Sequence, residues 1–201
     1  MADLRVIETD PREGTRSRLL RAAMALLEAG GYAAVSDSAI AERAGVPIES
    51  FYEHFPSKAG LFVEVFRAVG DGERAAIEAS TDGAEDVADV IEAVVSTFAG
   101  RALTRPRLAW ALVYEPVEAV VDAERMAYRR AYTERLAQFV RDGVDRGELP
   151  DQDPDLTAAA LIGAIIEGLV GPLAPVVGRN ADPDAVVASL TALCRRAIGA
   201  R

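Results

Sequence analysis

The sequence is short of the residues on which many metal sites and nucleophilic enzymes depend. It contains one cysteine, Cys194, and one histidine, His54, which lie far apart in the chain. A lone cysteine cannot form a disulfide within the chain, so the composition does not require an oxidising compartment. One histidine and one cysteine leave no metal-ligand cluster and little scope for a Ser-His or Cys-His nucleophile. We therefore expect neither an enzyme nor a bound cofactor or metal.

Long apolar runs are missing as well. Residues 1–8 lack an apolar signal core, and the longest apolar stretch, 161–177, is interrupted by Glu167, Pro172 and Pro175. A membrane-spanning helix needs about 20 consecutive apolar residues, so this stretch is more typical of a buried helix and its end. The sequence predicts a soluble, cytoplasmic protein with no membrane partner.

Positive charge is scarce, which at first argues against nucleic-acid binding. The 201 residues carry a net charge of -10, whereas a protein that binds phosphates needs a positive surface. Residues 1–70 hold eight basic and ten acidic groups, net -2, which leaves -8 for residues 71–201. Because the acidity lies mainly in the second part of the chain, the average does not exclude a basic face near the N-terminus.

Segments of strand length that alternate apolar and polar residues are also missing, and the composition favours helices throughout. The glycines at 30–31 end the first helix, and Gly171-Pro172 ends the eighth. An aspartate before a proline, at 153–154 and again at 182–183, is a strong helix start. The sequence predicts an all-α fold of about nine helices, at 15–29, 37–44, 48–54, 57–79, 84–102, 105–114, 117–147, 154–171 and 183–198.

The segment 39–46 has the spacing of a helix-turn-helix. Two short helices that cross closely need a small residue at the crossing, and the turn four residues later needs a backbone with positive φ. Ala41 and Gly45 supply this pair, and Ile40, Val46 and Phe51 would fill the small core beneath them. The second short helix would then enter the major groove of DNA.

At these residues the sequence resembles the TetR family of transcriptional regulators. The resemblance covers about 45 residues without a gap, and the run Phe-Tyr-x-His-Phe-x-Ser-Lys is specific. It is carried by 18–23, Gly31-Tyr32, Ile40-Ala41, 44–46, 51–55 and 56–58.

The resemblance implies a homodimer held by the last two long helices of each subunit. It also implies a pocket for a small hydrophobic effector in the middle helices, whose occupancy moves the DNA-reading heads apart and releases a repressor from a pseudo-palindromic operator. The expected organisation is a flexible N-terminal arm at 1–14, a three-helix DNA-binding head at 15–58, and a helical-bundle domain for ligand binding and dimerisation at 59–201.

Carried over residue by residue, the family resemblance assigns a DNA-binding set. Tyr52 and His54 would touch phosphates, and Lys58, the only lysine in the chain, would bind phosphate from a helix N-terminus. Arg43, and the arginines before Leu19, would flank the backbone. The positions that face the groove are Pro47, Ile48, Glu49 and Ser50.

Several residues depart from the family pattern. Glu49 and Glu53 share one side of the recognition helix, and Asp37 replaces an apolar residue at the start of the preceding helix. Two carboxylates near phosphates oppose binding unless one accepts a hydrogen bond from cytosine. The alternative is therefore a TetR-like module that binds small molecules or proteins, with weak or no DNA binding.

The second part of the chain offers candidate pocket residues, each of which could equally be plain core. Glu167 interrupts an apolar run and would either pair with an arginine at the dimer interface or contact the ligand. Cys194, among apolar residues of the last helix, is more typical of a buried small hydrophobe than of a sensor thiol. The aromatic and sulfur-containing candidates are Phe98, Trp110, Tyr114, Met126 and Tyr128.

Overall fold

A computed structural model describes residues 14–175 and 182–199, and the described residues form nine α-helices, one 3₁₀ turn at Tyr32–Ala34 and no strand. The predicted all-α class is confirmed. Most of the predicted arm lies outside the described residues. The helices are α1 (Thr15–Gly30), α2 (Asp37–Ala44), α3 (Ile48–His54), α4 (Lys58–Thr81), α5 (Val87–Thr104), α6 (Pro106–Val113), α7 (Ala119–Asp145), α8 (Pro154–Leu173) and α9 (Pro183–Ala197).

The helix-turn-helix forms where the sequence predicts it, for local reasons. The Ser36 hydroxyl accepts a hydrogen bond from the amide of Ala39 (3.2 Å) and starts α2. Gly45 ends α2 in the left-handed region, with φ 65° and ψ 41°. The side chains of Ile40 and Phe51 are fully buried beneath the turn. The predicted small core therefore exists, and it fixes α3 relative to α2.

The C-terminal helices enclose a separate core, built from α5, α7, α8 and α9. α4 leads from the head into this bundle, and it packs against α5 and α7. Cys194 is fully buried in the bundle core, as the sequence predicts, and burial raises the pKa of its thiol. The largest fully buried side chains of the bundle are Ile91, Leu169, Ile198, Val87 and Val95.

α8 differs from its prediction at its end and in its burial. It continues through Pro172 to Leu173, since the residue before the proline is Gly171, which has no Cβ to clash with the proline ring. By length and composition α8 could cross a membrane (mean hydropathy 1.8), yet only 28% of its most apolar window is buried within the subunit. The prediction of a buried helix is therefore correct for one side of α8 only.

Gly70 allows α4 and α7 to approach closely. The Tyr132 hydroxyl donates to the carbonyl of Gly70 (2.9 Å), and a Cβ added at Gly70 would lie 2.6 Å from the ring of Tyr128. Tyr128 is held in place because its hydroxyl donates to Asp71 Oδ1 (3.0 Å). The contact therefore depends on the absence of a side chain at position 70.

Replacing Gly70 by alanine should destabilise the protein, whereas Gly72→Ala on the same helix should not. Both changes gain about 0.5–1 kcal/mol of helix propensity, but position 72 has nothing within 4 Å of an added Cβ. Overpacking costs about 1–3 kcal/mol, and the propensity gain offsets part of it. We therefore expect the free energy of unfolding in urea to fall by up to about 2.5 kcal/mol for Gly70→Ala and to rise slightly for Gly72→Ala. Equal stabilisation by both variants would contradict the packing of α4 on α7.

Candidate nucleic-acid interface and ligand cavity

The predicted DNA-facing residues lie on and around α3, and most of them are exposed. Glu49, Tyr52 and Glu53 share one face of α3 by their spacing, and this face is open to solvent. Arg43, Pro47 and His54 are exposed around it, and Ser50 is half-buried. Ile48 packs partly against the head core, so it offers only part of its side chain to a groove.

Asp37, a departure from the family pattern, has a definite partner here. The Tyr52 hydroxyl donates to Asp37 Oδ2 at 3.0 Å, and this hydrogen bond raises the pKa of Tyr52. The Tyr52 ring stands edge-on to Phe51, with ring centroids 5.2 Å apart. The exposed tyrosine is therefore oriented by one carboxylate and one buried ring.

Arg18, one of the arginines predicted to flank the DNA backbone, is half-buried and bonds within the head. Its guanidinium donates to the carbonyl oxygens of Ala44 (2.5 Å) and Gly45 (2.9 Å). These bonds fasten α1 to the turn that precedes the recognition helix.

Lys58 is half-buried and lies against Tyr32. Its Nζ is 4.1 Å from the centroid of the Tyr32 ring and 3.5 Å from the Tyr32 carbonyl oxygen. Such a cation–π contact stabilises by about 0.5–2 kcal/mol, depending on exposure. A phosphate contact by Lys58 stays a prediction, and the structure adds a second role for this lysine inside the head.

Tyr32 joins the head to the loop between α6 and α7. Its amide donates to Glu115 Oε2 (2.5 Å), and its hydroxyl donates to the Glu118 carboxylate. Gly31 has φ 76°, and a side chain there would collide with Glu115. Burial raises the pKa of Tyr32, and the bond to Glu118 adds to the rise. Burial opposes ionisation of Glu118, but the bond from Tyr32, a hydrogen bond from the Glu118 backbone and the charge of Lys58 together outweigh burial and lower the pKa of Glu118.

A cavity of about 400 Å³ lies between the head and the bundle. α1 supplies one wall through Leu20 and Met24, and α4, α5, α6, α7 and α8 supply the others. A second cavity of about 180 Å³ lies beside it. The two cavities share Phe66, Phe98, Val113, Tyr128 and Tyr132.

Four of the six predicted pocket residues line these cavities. Phe98 and Tyr128 line both, Tyr114 lines the larger one, and Met126 lines the smaller one. Trp110 packs behind the lining, with its ring centroid 4.9 Å from that of Tyr114.

Glu167 does not line either cavity. It lies on the exposed side of α8, because the residues that face the core are its neighbours Ile165 and Leu169. It acts on the cavity only from a distance: burial raises the pKa of Tyr114 to about 12, and the charge of Glu167 adds to that rise. The ligand-contacting interpretation of Glu167 therefore has no support in the geometry.

The larger cavity is apolar apart from a few charged side chains, which include the pair of Glu73 and Arg101. Arg101 Nε donates to Glu73 Oε1 at 2.8 Å, and the other oxygen, Glu73 Oε2, is buried without a hydrogen-bond partner among the described residues. Burial raises the pKa of Glu73, and Arg101 opposes the rise. Arg105 also lines the cavity and binds Glu28 Oε1 at 2.6 Å.

Two family patterns match the chain. Residues 19–65 match "Bacterial regulatory proteins, tetR family", and residues 56–167 match "Tetracyclin repressor-like, C-terminal domain". The second match alone spans more than half of the chain. The chain belongs to the TetR family of transcriptional regulators.

Individual relatives agree with this membership. The TetR-family chain is 26% identical over 175 residues to the transcriptional regulator UidR of Escherichia coli K12, covering 85% of this chain and 86% of UidR. It is 45% identical over 67 residues to the transcriptional repressor KstR of Mycobacterium tuberculosis, a match that spans 33% of this chain and only 29% of KstR. The solved structure of FadR from Bacillus subtilis in complex with stearoyl-CoA has the same fold, with a TM-score of 0.79 at 19% identity over 89% of this chain and 96% of that one.

The sequence did not predict two sets of contacts in this TetR-family regulator: those of Tyr32 with Glu115 and Glu118, and the ion pair of Glu73 with Arg101. No sequence pattern at Glu115 and Glu118 indicates their contacts with Tyr32, since acidic residues near a proline are ordinary in loops. The position of Glu73 does carry a signal in the sequence, because this carboxylate continues the apolar stripe of α4 that runs through Phe62, Phe66 and Val69. A carboxylate on a buried stripe indicates a site that needs a polar partner.

Removing the Tyr32 hydroxyl should destabilise the protein far more than removing that of Tyr52. Tyr32→Phe loses a bond to a charged acceptor, which costs about 1.5–3 kcal/mol, whereas the exposed Tyr52→Phe should stay within about 0.5 kcal/mol. Both are measured as the free energy of unfolding in urea. Tyr32 lowers the pKa of Glu118, so its bond stabilises the protein only while Glu118 is ionised. The destabilisation by Tyr32→Phe should therefore be largest at neutral pH and shrink as the pH falls below the ordinary glutamate pKa of about 4.3. A pH-independent loss would show that Glu118 is not the partner.

Proposed function

We propose that this TetR-family regulator is a homodimeric, ligand-responsive repressor that a small hydrophobic molecule releases from its operator. The observation that carries the proposal is the shared wall of the larger cavity. Leu20 and Met24 of α1 line it together with residues of five bundle helices. A molecule that enters this cavity must therefore press on a helix of the DNA-binding head.

The head is built to pass such a displacement to the recognition helix. α1 is fastened by Arg18 to the turn before α3, so a shift of α1 carries α3 with it. The contacts of Tyr32 with Glu115 and Glu118 hold the far end of the head against the bundle and would serve as the pivot. The mechanism is a shift in population, because the ligand binds better to the conformation whose heads are wrongly spaced for DNA.

The dimer would form through α8 and α9. α8 is strongly apolar but mostly unburied within the subunit, and Leu156 on α8 and Leu193 on α9 are 67% and 44% exposed. Pairing these helices across a two-fold axis would cover this surface. The two copies of α3 would then read half-sites about one helical turn, roughly 34 Å, apart. Glu167, exposed on the same helix, would lie at or near this interface.

The effector would be hydrophobic, since the cavities are lined mainly by apolar and aromatic side chains. The fold relative FadR of Bacillus subtilis was solved with stearoyl-CoA, whose acyl chain is long and apolar. A DNA-binding regulator of this kind acts in the cytoplasm.

In a second candidate function the cavity binds a ligand but the chain does not bind DNA. The exposed Glu49 and Glu53 place two carboxylates on the outward face of α3, where they would repel phosphates. In that case the chain is a TetR-like module that binds a small molecule or a protein.

Fluorescence anisotropy against labelled DNA from beside its own gene distinguishes the two functions. We expect saturable binding by two or more subunits per site that weakens steeply with salt. Lys58→Ala should weaken binding to all sequences and reduce the salt slope by about one, since one phosphate contact is lost.

Lys58→Arg is the matched control, because it keeps the charge at the same position and should keep the slope. An unchanged slope in Lys58→Ala would refute the phosphate role of Lys58. No binding above that of a random duplex, even at low salt, would favour the module.

A further inference from the structure

Three tyrosine hydroxyls on the wall of the larger cavity are satisfied by the protein itself. The hydroxyl of Tyr132 donates to Gly70, that of Tyr128 to Asp71, and that of Tyr114 to the carbonyl of Ile166. Each of these three hydroxyls therefore already donates its proton to a group of the protein. A ligand gains little by offering them an acceptor.

Glu73 differs from these three tyrosines. It lines the cavity, one of its oxygens is held by Arg101, and the other, Oε2, is buried with no hydrogen-bond partner among the described residues. A buried acceptor left unpaired is destabilising. Because the last torsion of a glutamate side chain is soft, a rotation of the carboxylate would let Oε2 meet a ligand in the cavity. The carboxylate is therefore available to a ligand that donates a hydrogen bond.

The ion pair of Glu73 with Arg101 disfavours an anionic ligand beside this carboxylate. Arg101 is neutralised by Glu73, and Arg105 by Glu28. An anion that bound Arg101 would displace Glu73 and leave a second carboxylate in an apolar cavity. A neutral donor satisfies Oε2 and leaves the ion pair intact.

We propose that the effector is a neutral hydrophobic molecule with a hydroxyl group, which donates a hydrogen bond to Glu73 Oε2 while its apolar body fills the space between α1 and the bundle. This rests on the proposed function only in treating the cavity as the effector site. Glu73 then selects the chemical class, and the aromatic wall formed by Phe66, Phe98 and Tyr132 holds the apolar body.

The test uses three probes of equal chain length and needs no DNA: 1-decanol, decyl methyl ether and decanoate. Their dissociation constants are measured from the fluorescence of Trp110, the only tryptophan, whose ring lies 4.9 Å from that of the cavity residue Tyr114. We expect the alcohol to bind the wild-type protein about tenfold to a hundredfold more tightly than the ether, because only the alcohol can donate to the carboxylate. Decanoate should bind more weakly than the alcohol.

Glu73→Gln replaces the free acceptor by an amide that can also donate, so the preference for alcohol over ether should fall to about twofold or less. Glu78→Gln, the same change at an exposed position of α4, should keep the wild-type ratio. Equal binding of alcohol and ether by the wild-type protein would overturn the proposal even if the Glu73 variant did not fold. Tightest binding of decanoate would also overturn it and would indicate an anion site on Arg21 or Arg101, and binding of none of the probes would overturn it as well.

A failure of this test is separate from a failure of the proposed function. If DNA binding and its salt dependence hold while the probe preferences fail, the chain is a regulator with a different effector class. If the probe preferences hold while DNA binding is absent, the cavity belongs to a binding module.

Discussion

Helix α1 packs against two apolar environments, the core of the head and the cavity, and the rest of the structure depends on these two contacts. On one side Leu19, Ala23 and Leu27 are buried in the core of the head. On another side Leu20 and Met24 face the cavity that the bundle helices enclose. The helix can keep both contacts because its apolar residues cover more than one stripe. α1 therefore belongs both to the head core and to the cavity wall.

Polar contacts link α1 to the helix-turn-helix and to the bundle. Arg18 fixes the helix to the turn before α3, Glu28 holds Arg105 of the bundle, and Arg16 pairs with Glu64 of α4 at 3.0 Å. Exposed ion pairs add little stability individually. Their importance here is geometric, because they fix where α1 lies relative to the turn before α3, to α4 and to Arg105.

The fold could be predicted from the sequence because its determinants are local. Gly45 and Asp153 act on their own helix ends through the backbone, and the structure uses both of them as the sequence indicates. The end of α8 was predicted too early because Gly171 removes the clash that normally stops a helix before proline. Local chemistry therefore gives element order reliably and boundaries less so.

The candidate site could be predicted only in part, since it is made of pairs distant in sequence. Aromatic residues such as Phe98 and Tyr128 were found from composition, but Trp110, of the same kind, lies behind the wall. The contacts of Tyr32 with Glu118 and of Arg101 with Glu73 join positions that no periodicity relates. Such pairs follow from how helices that are distant in the sequence pack together, which a single sequence does not specify.

The most direct test of the account is to fill the cavity with the protein's own side chain and measure DNA binding. Ala109 of α6 lines the larger cavity, whereas Ala131 of α7 is exposed and lines neither cavity. The operator affinities of Ala109→Trp and Ala131→Trp are compared by anisotropy, with urea unfolding to show that both variants are folded.

If occupancy of the cavity displaces the head, Ala109→Trp behaves as a permanently liganded protein and binds operator at least about tenfold more weakly, a coupling of about 1.4 kcal/mol, while Ala131→Trp binds as the wild type does. Wild-type affinity in a folded Ala109→Trp would contradict the account, because α1 would then not transmit what fills the space behind it.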